Sequence, residues 1–407
     1  MKIAVISDWF SAGVGYAENF LPPAFARLGH EVHLLTSNLQ IYATSPDYEK
    51  IYRTRLGEKK VPLGVWSEEG VTLHRLEGRT DRFGVAIPQL GETLTRLSPQ
   101  IVYCFEIACP TTVTAAVHRS RTGYRMFCES RLHSSLGQSS VALVTTVKWL
   151  LKARIMGIRT VIENVDTFYP IAPDVARNIT RYLGVPPERC RLSNLAVETS
   201  TFHPSNDQSQ RLARRAKFGL SESDLVCIYT GRLSRDKGPL VLARAVDSLQ
   251  SRGRQHVRAL FVGEGDREYV AQIASSKGCI VHPFVTPAEL ADFYHAADLG
   301  VWPLQESTSQ LDAMACGLPL IVNDTVEDPI RLGDIGTTFK KDDFEQLACK
   351  ILQLQDPEER AAMGARASRR IATSYSWDAL ASSRIEDFER ALGSPDERTG
   401  KQRRHSA

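Results

Sequence analysis

The chain has 407 residues, 43% of them hydrophobic and 24% charged, with a formal net charge of +3 at neutral pH. That length exceeds one ordinary hydrophobic core, so two domains are expected, and the composition excludes collagen-like, low-complexity and largely disordered classes. No apolar run is long enough to span a bilayer, and the first ten residues lack the charged start and cleavage site of a signal peptide.

In chain order, Lys2–Ser7 reads as a β-strand, 13–28 as a glycine loop feeding a helix, and 31–36 as the next strand. Further strands are expected at 71–75, Ile101–Phe105, 125–128 and 160–163, with a helix at 87–97. After an irregular polar stretch at 203–210 the pattern restarts. Strands are expected at 225–229, 258–262, 280–281, Leu299–Trp302 and 318–322, with helices at Pro239–Ser251, 267–275, 287–295 and 310–316. This alternation predicts an α/β fold of two Rossmann-like, doubly wound domains. The chain divides into 1–195, 205–375, a helix at 376–392 and a basic tail at 393–407 that is expected to be disordered.

The eight cysteines are scattered without a Cys-x-x-Cys pair, which argues for reduced thiols in a cytosol. No Asp-x-Asp pair and no His/Cys/carboxylate cluster has metal-ligand spacing, so neither a metal nor a cofactor is expected. Charge is uneven: residues 1–190 carry +5 and 191–407 carry −2. Between Arg119 and Arg159 eight basic residues face one acid, Glu129, which favours an anionic partner such as a membrane surface or a phosphorylated substrate. Within that zone, 141–155 combines Lys148, Lys152 and Arg154 with a Trp. It has the make-up of an interfacial helix, and equally of a Rossmann helix with snorkelling lysines. No nucleic-acid partner is expected.

Several short segments could carry chemistry. In Tyr229-Thr-Gly-Arg232-Leu-Ser-Arg-Asp-Lys237-Gly-Pro239, a strand end, the cations Arg232 and Lys237 and a proline-started helix meet on one loop. That loop suits a phosphorylated ligand, or is simply a pair of solvated charges. Gly13 and Gly15 open the first helix, but Glu18 stands where a dinucleotide fingerprint needs a third glycine. Gly263-Glu264-Gly265-Asp266 follows a strand, at the end where open α/β sheets bind ligands. In 302–319, Ser309 and Asp312 have capping-box spacing, and Ser307, Thr308 and Ser309 flank a helix start that suits a diphosphate.

Taken together, GRLSRDKGP at 231–239, FVGEGD at 261–266, HPFVTPAELADFYHAADLGVWP at 282–303 and DAMACGLPLIV at 312–322 resemble the retaining family 4 glycosyltransferases of the GT-B fold. The first half agrees through GVGYAENFLPPAFARLGHEVHLLTS at 13–37 and LGVPPERCRLSN at 183–194. The resemblance implies two Rossmann-like domains facing a cleft, with a C-terminal helix returning to the N-terminal domain. It implies a nucleotide-sugar donor and an acceptor hydroxyl on a saccharide or lipid-linked molecule. By resemblance, Arg232 and Lys237, with Gly231 on their loop, would stabilise the departing diphosphate. Asp312 would hold the ribose, Glu306 would lie near the donor hexose, and Gly15 would lie near the phosphates or sugar. Gly263 would bind the donor, Glu264 and the backbone around Phe284 would border the base, and Glu129 or His133 would face the acceptor. Two departures stand out: Glu306 lies only six positions before Asp312, and the family's Phe-Gly after the first acid is absent. The implied enzyme is a cytoplasmic, metal-independent, retaining hexosyltransferase, possible alternatives being a nucleotide-sugar epimerase or a non-catalytic relative. Residues 119–159 would hold it at the inner membrane face.

Overall fold

The computed structural model describes residues 1–46, 48–81, 83–131, 157–193, 195–205, 207–304, 307–325 and 333–393. It divides into two compact units. The first comprises Met1–Leu195 and the chain from Leu380 onward; the second is Ala196–Ala379.

The first unit is built on β1 (Lys2–Ser7), β2 (Glu31–Ser37), β3 (Gly64–Glu68) and β4 (Val71–Leu76), followed, after a small hairpin of β5 (Arg79–Asp81) and β6 (Gly84–Ala86), by β7 (Ile101–Phe105), β8 (Arg125–Ser130) and β9 (Thr167–Pro170). The seven-stranded sheet has the order β3-β4-β2-β1-β7-β8-β9. All neighbours are parallel except β3, which pairs antiparallel with β4. The central strands β1, β7 and β8 are almost wholly buried. Helices cover both faces of a parallel sheet, so such strands are apolar on both sides and stand out in sequence. β3 is different: its side chains are exposed, and no apolar alternation announces it.

The segment 160–163, expected as a strand, lies in a helix, Ile158–Asn164. Ile158, Val161 and Val165 are buried, at spacings of three and four that suit one helical face. The strand itself comes later, as β9. A short apolar run does not discriminate between the two states; here packing against the helix Pro110–Thr122 decides it.

The C-terminal helix Trp377–Gly393 packs its distal part into the first unit. Phe388 is fully buried, with its ring 4.4 Å from that of Phe127 and 5.7 Å from that of Phe25. The Tyr169 hydroxyl donates to Asp387 at 2.7 Å, and Arg191 pairs with the same carboxylate. Arg384 lies 3.5 Å over the Tyr169 ring and donates to Ser193 Oγ at 2.6 Å.

The second unit carries β10 (Leu225–Thr230), β11 (Val257–Val262), β12 (Cys279–His282), β13 (Leu299–Trp302), β14 (Leu320–Asn323) and β15 (Gly336–Phe339). Its sheet has the order β12-β11-β10-β13-β14-β15 and is parallel throughout. Counted within the unit this is 3-2-1-4-5-6, with the reversal between β10 and β13. Ligands of open α/β sheets bind at that reversal, beyond the strands' carboxyl ends.

Candidate active site

In the second unit, parallel strands bring four loops to one sheet edge. They follow β12, β11, β10 and β13, and they contain Phe284, Glu264, Arg232 with Lys237, and Ser307–Ser309 respectively. Residues as far apart in sequence as Arg232 and Ser309 therefore line up along one edge, with Arg232 and Lys237 at the reversal.

The glycines on these loops permit a backbone clasp. A Cβ on Gly263 would sit 1.9 Å from the Gly231 carbonyl oxygen, and one on Gly265 would sit 1.9 Å from that of Leu233. Gly231 N–H donates to Val262 O at 3.0 Å, and Leu233 N–H to Glu264 O at 2.8 Å. Gly263 also has φ +152°, at the edge of what a side chain tolerates. Gly238, with φ +67°, caps the helix Pro239–Ser251, and Pro239 takes its first position. Arg232 Nη2 lies 3.6 Å from Asp236 with both side chains exposed, so the pair is weak and the guanidinium is available to an anion. Lys237 is half-buried on the same loop.

The helix Thr308–Ala315 starts one residue after Ser307, whose hydroxyl accepts from Ser309 N–H at 3.3 Å. The cap is thus Ser307, and the Ser309–Asp312 capping box read from spacing is not formed. Asp312 lies in the second turn, free of cap duty. Its carboxyl is crowded by protein atoms, and that desolvation lifts its pKa to about 7. Behind it, the Tyr294 hydroxyl bonds Thr230 Oγ1 at 2.7 Å and donates to Ser309 O at 3.2 Å. The Trp302 indole donates to Thr230 O at 3.1 Å. The end of β10 and the Asp312 helix are therefore held in one network. Phe284 is 57% exposed after β12, and Glu264 is exposed after β11. Glu306 lies outside the described residues.

In the first unit, the loops after β1, β7 and β8 meet at the reversal of that sheet. Asp8 is buried, accepts from the Thr111 hydroxyl, and is raised to about 6 chiefly by desolvation. Glu106 has φ +87°. Its carboxylate accepts from Ile107 N–H, Ser130 Oγ and Arg131 N–H, each at 2.9 Å. Glu129, a candidate acceptor-facing residue, is 3% exposed. It accepts from the Tyr103 hydroxyl at 3.2 Å and from Arg131 Nε at 2.9 Å, so its oxygens are engaged inward. Its neighbour Arg131 also donates to Glu18 Oε1 at 3.0 Å. Against the desolvation of burial, Glu129 and Glu18 hold that guanidinium above its ordinary range. Gly13 and Gly15 have φ of +71° and +83°, with open space where a Cβ would go, so backbone conformation is their requirement. His133 lies outside the described residues. Glu18 entered the sequence reading only as a missing glycine, and Arg131 and Glu106 not at all. The available signal is the position of Glu106 and Arg131 just after strand ends and of Glu18 in the first turn of the helix that follows the glycine loop.

Residues 224–356 match the model described as Glycosyl transferases group 1, and residues 21–194 match the Glycosyl transferase 4-like domain. A D-inositol 3-phosphate glycosyltransferase of Thermobispora bispora is 27% identical over 259 residues, covering 59% of this chain and 59% of that protein. A Rhodococcus jostii protein of the same name is 28% identical, covering 59% and 56%. The chain thus spans under two thirds of the length of the curated relatives it matches. Among solved structures, Anabaena HepE in complex with UDP is similar at TM-score 0.66 and 13% identity, covering 96% of this chain and all of that one. Sucrose-phosphate synthase from Thermosynechococcus elongatus is similar at TM-score 0.62 and 18% identity, covering 97% and all. With both family models matched in order and the fold shared, the chain belongs to the group 1, family 4 glycosyltransferases of GT-B fold.

Proposed function

We propose that this protein transfers a hexosyl unit from a nucleotide-diphosphate sugar to an acceptor hydroxyl, with retention at the anomeric carbon and without a metal ion. The observation that carries the reading is the placement of Arg232, Lys237 and a helix N-terminus together at the β10/β13 reversal. Along the edge, Phe284 and Glu264 would border the base, Asp312 would accept from ribose hydroxyls, and the cations would hold the diphosphate. As the bond from anomeric carbon to phosphate oxygen breaks, charge builds on the diphosphate, where fixed cations lower the barrier. The acceptor oxygen bonds the same face of that carbon, and its proton passes to the departing phosphate oxygen. Anabaena HepE was solved with UDP and with UDP-glucose, which makes uridine donors the first to test.

Arg232→Ala and Lys237→Ala should each lower kcat by roughly 10²–10³-fold while leaving thermal unfolding unchanged. Near-normal turnover in a folded double variant overturns the assignment. Turnover should persist in excess EDTA; its loss, restored by a divalent ion, overturns metal independence. Incubating donor alone separates transfer from epimerisation.

The acceptor belongs to polysaccharide, lipopolysaccharide or glycolipid synthesis in this reading, on the cytoplasmic side of a membrane. No helix among the described residues is long and apolar enough to cross one. The basic zone 119–159 would hold the enzyme peripherally on anionic lipid. Most of it, 132–156, lies outside the described residues. Binding to anionic vesicles that weakens with salt supports this attachment, and no binding at low salt removes it.

A further inference from the structure

A cleft lies wholly within the first unit. It has a volume of ≈ 330 Å³ and is lined by Trp9, Tyr16, Tyr42, Glu18, Ser45 and Arg131, among others. That volume is on the scale of small-molecule sites, roughly 300–1,000 Å³. Three features describe what it would accept.

The walls are aromatic. Tyr16 and Tyr42 are 38% and 37% exposed, unusually open for such rings, and their hydroxyls bond each other. Tyr42 stacks on Tyr52 at 4.5 Å between ring centroids, which fixes its plane. Rigid rings with open faces suit the apolar C–H face of a pyranose, because they bury area with little loss of side-chain freedom.

The polar groups are unsatisfied. Glu18 Oε2 and Arg131 Nη2 are both buried and have no hydrogen-bond partner, although their other atoms pair with each other. A buried acceptor and a buried donor left open cost about 1–3 kcal/mol each until something bonds them. A sugar hydroxyl can donate to the first and accept from the second.

The charge is wrong for an anion. Among the described lining residues Arg131 is the cation, and it is already shared between Glu18 and Glu129, while its backbone N–H is held by Glu106. A phosphate placed here would meet carboxylates whose one cation is already neutralised, and like charges repel strongly at low dielectric.

We propose that this cleft binds the acceptor through an uncharged sugar ring, packed on Trp9, Tyr16 and Tyr42 and hydrogen-bonded to Glu18 and Arg131. The assignment rests on the glycosyl-transfer reading and departs from the phosphorylated polyol in the matched relatives' name. Glu18 and Tyr16 are then residues of acceptor specificity.

The test uses the full chain and UDP, with the methyl glycosides of common hexoses and N-acetylhexosamines, and with D-inositol 3-phosphate, as probes in ligand-observed NMR and calorimetry. A methyl glycoside should bind the wild type. Glu18→Gln and Tyr16→Ala should weaken it by roughly tenfold to a hundredfold, with acceptor KM rising and donor KM holding. Tyr16 is exposed, so its variant remains informative even where Glu18→Gln fails to fold. Inositol phosphate binding in place of every glycoside overturns the proposal, as does glycoside binding unchanged in both variants. No glycoside binding to a protein that still binds UDP also overturns it and leaves the donor reading intact. Failure of the donor reading would show instead as absent UDP binding or as indifference to Arg232 and Lys237.

Discussion

Individual side chains carry two of the clearest consequences. Phe284 exposes more than half its surface at the end of β12, where burying the ring would have been the ordinary outcome for a phenylalanine. If it stacks on the nucleobase, Phe284→Ala should raise donor KM with little change in kcat and none in stability; a fall in kcat at constant KM would refute that role. Asp312 has its carboxyl raised to about 7 by desolvation from an ordinary 3.8. Between those values the folded state keeps a proton that the unfolded state has lost, so stability falls as pH rises from about 4 to about 7. Asp312→Asn removes the titration. Thermal unfolding of that variant should match wild type in acid and exceed it above pH 7, at the expense of donor affinity. A wild-type profile no steeper than that of the variant would show that the carboxyl ionises normally.

At the scale of elements, the loop after β10 is shaped by backbone approach. Gly263 and Gly265 let the loop after β11 lie directly on the carbonyls of Gly231 and Leu233. Gly263→Ala forces a Cβ into the Gly231 carbonyl at an already strained φ, so a loss of about 2–5 kcal/mol is expected. Equilibrium urea unfolding checks the loss, and donor binding should weaken with it. An unperturbed variant would mean that the clasp is loose in solution. Motifs at this scale read well from sequence because each element's signal is local. Pro239 at a helix start, Gly238 before it and the apolar runs of β10 and β11 all declare themselves within a few residues. Capping at Ser307 did not, since Ser307, Thr308 and Ser309 are equivalent by type and the turn geometry selects one. The strand expected at 160–163 is a helix for a related reason: a short apolar run has no period of its own.

At the scale of the molecule, each unit closes its own core, and the first does so with residues from the far end of the chain. Phe388, Asp387 and Arg384 sit on Phe127, Tyr169, Arg191 and Ser193, between 191 and 261 positions away in sequence. Phe388→Ala should destabilise the first unit by about 3–5 kcal/mol. Ending the chain before Trp377 should expose its aromatic face and increase binding of an apolar dye. A truncated chain as stable as the whole would contradict that packing.

The sequence by itself determined the α/β class, the two-unit division and the order of the glycine loops and helix starts, because strand periodicity, glycine loops and helix starts are encoded locally. Only the tertiary structure decided which residues share a site. The parallel sheet aligned Phe284, Glu264, Arg232 and Ser307 on one edge. The same process turned Glu129 inward onto Tyr103 and Arg131, and left Glu18 with an open oxygen beside Trp9, Tyr16 and Tyr42. Such pairings depend on contacts between distant segments and on which polar atoms remain unsatisfied after packing, quantities to which no window of neighbouring residues has access.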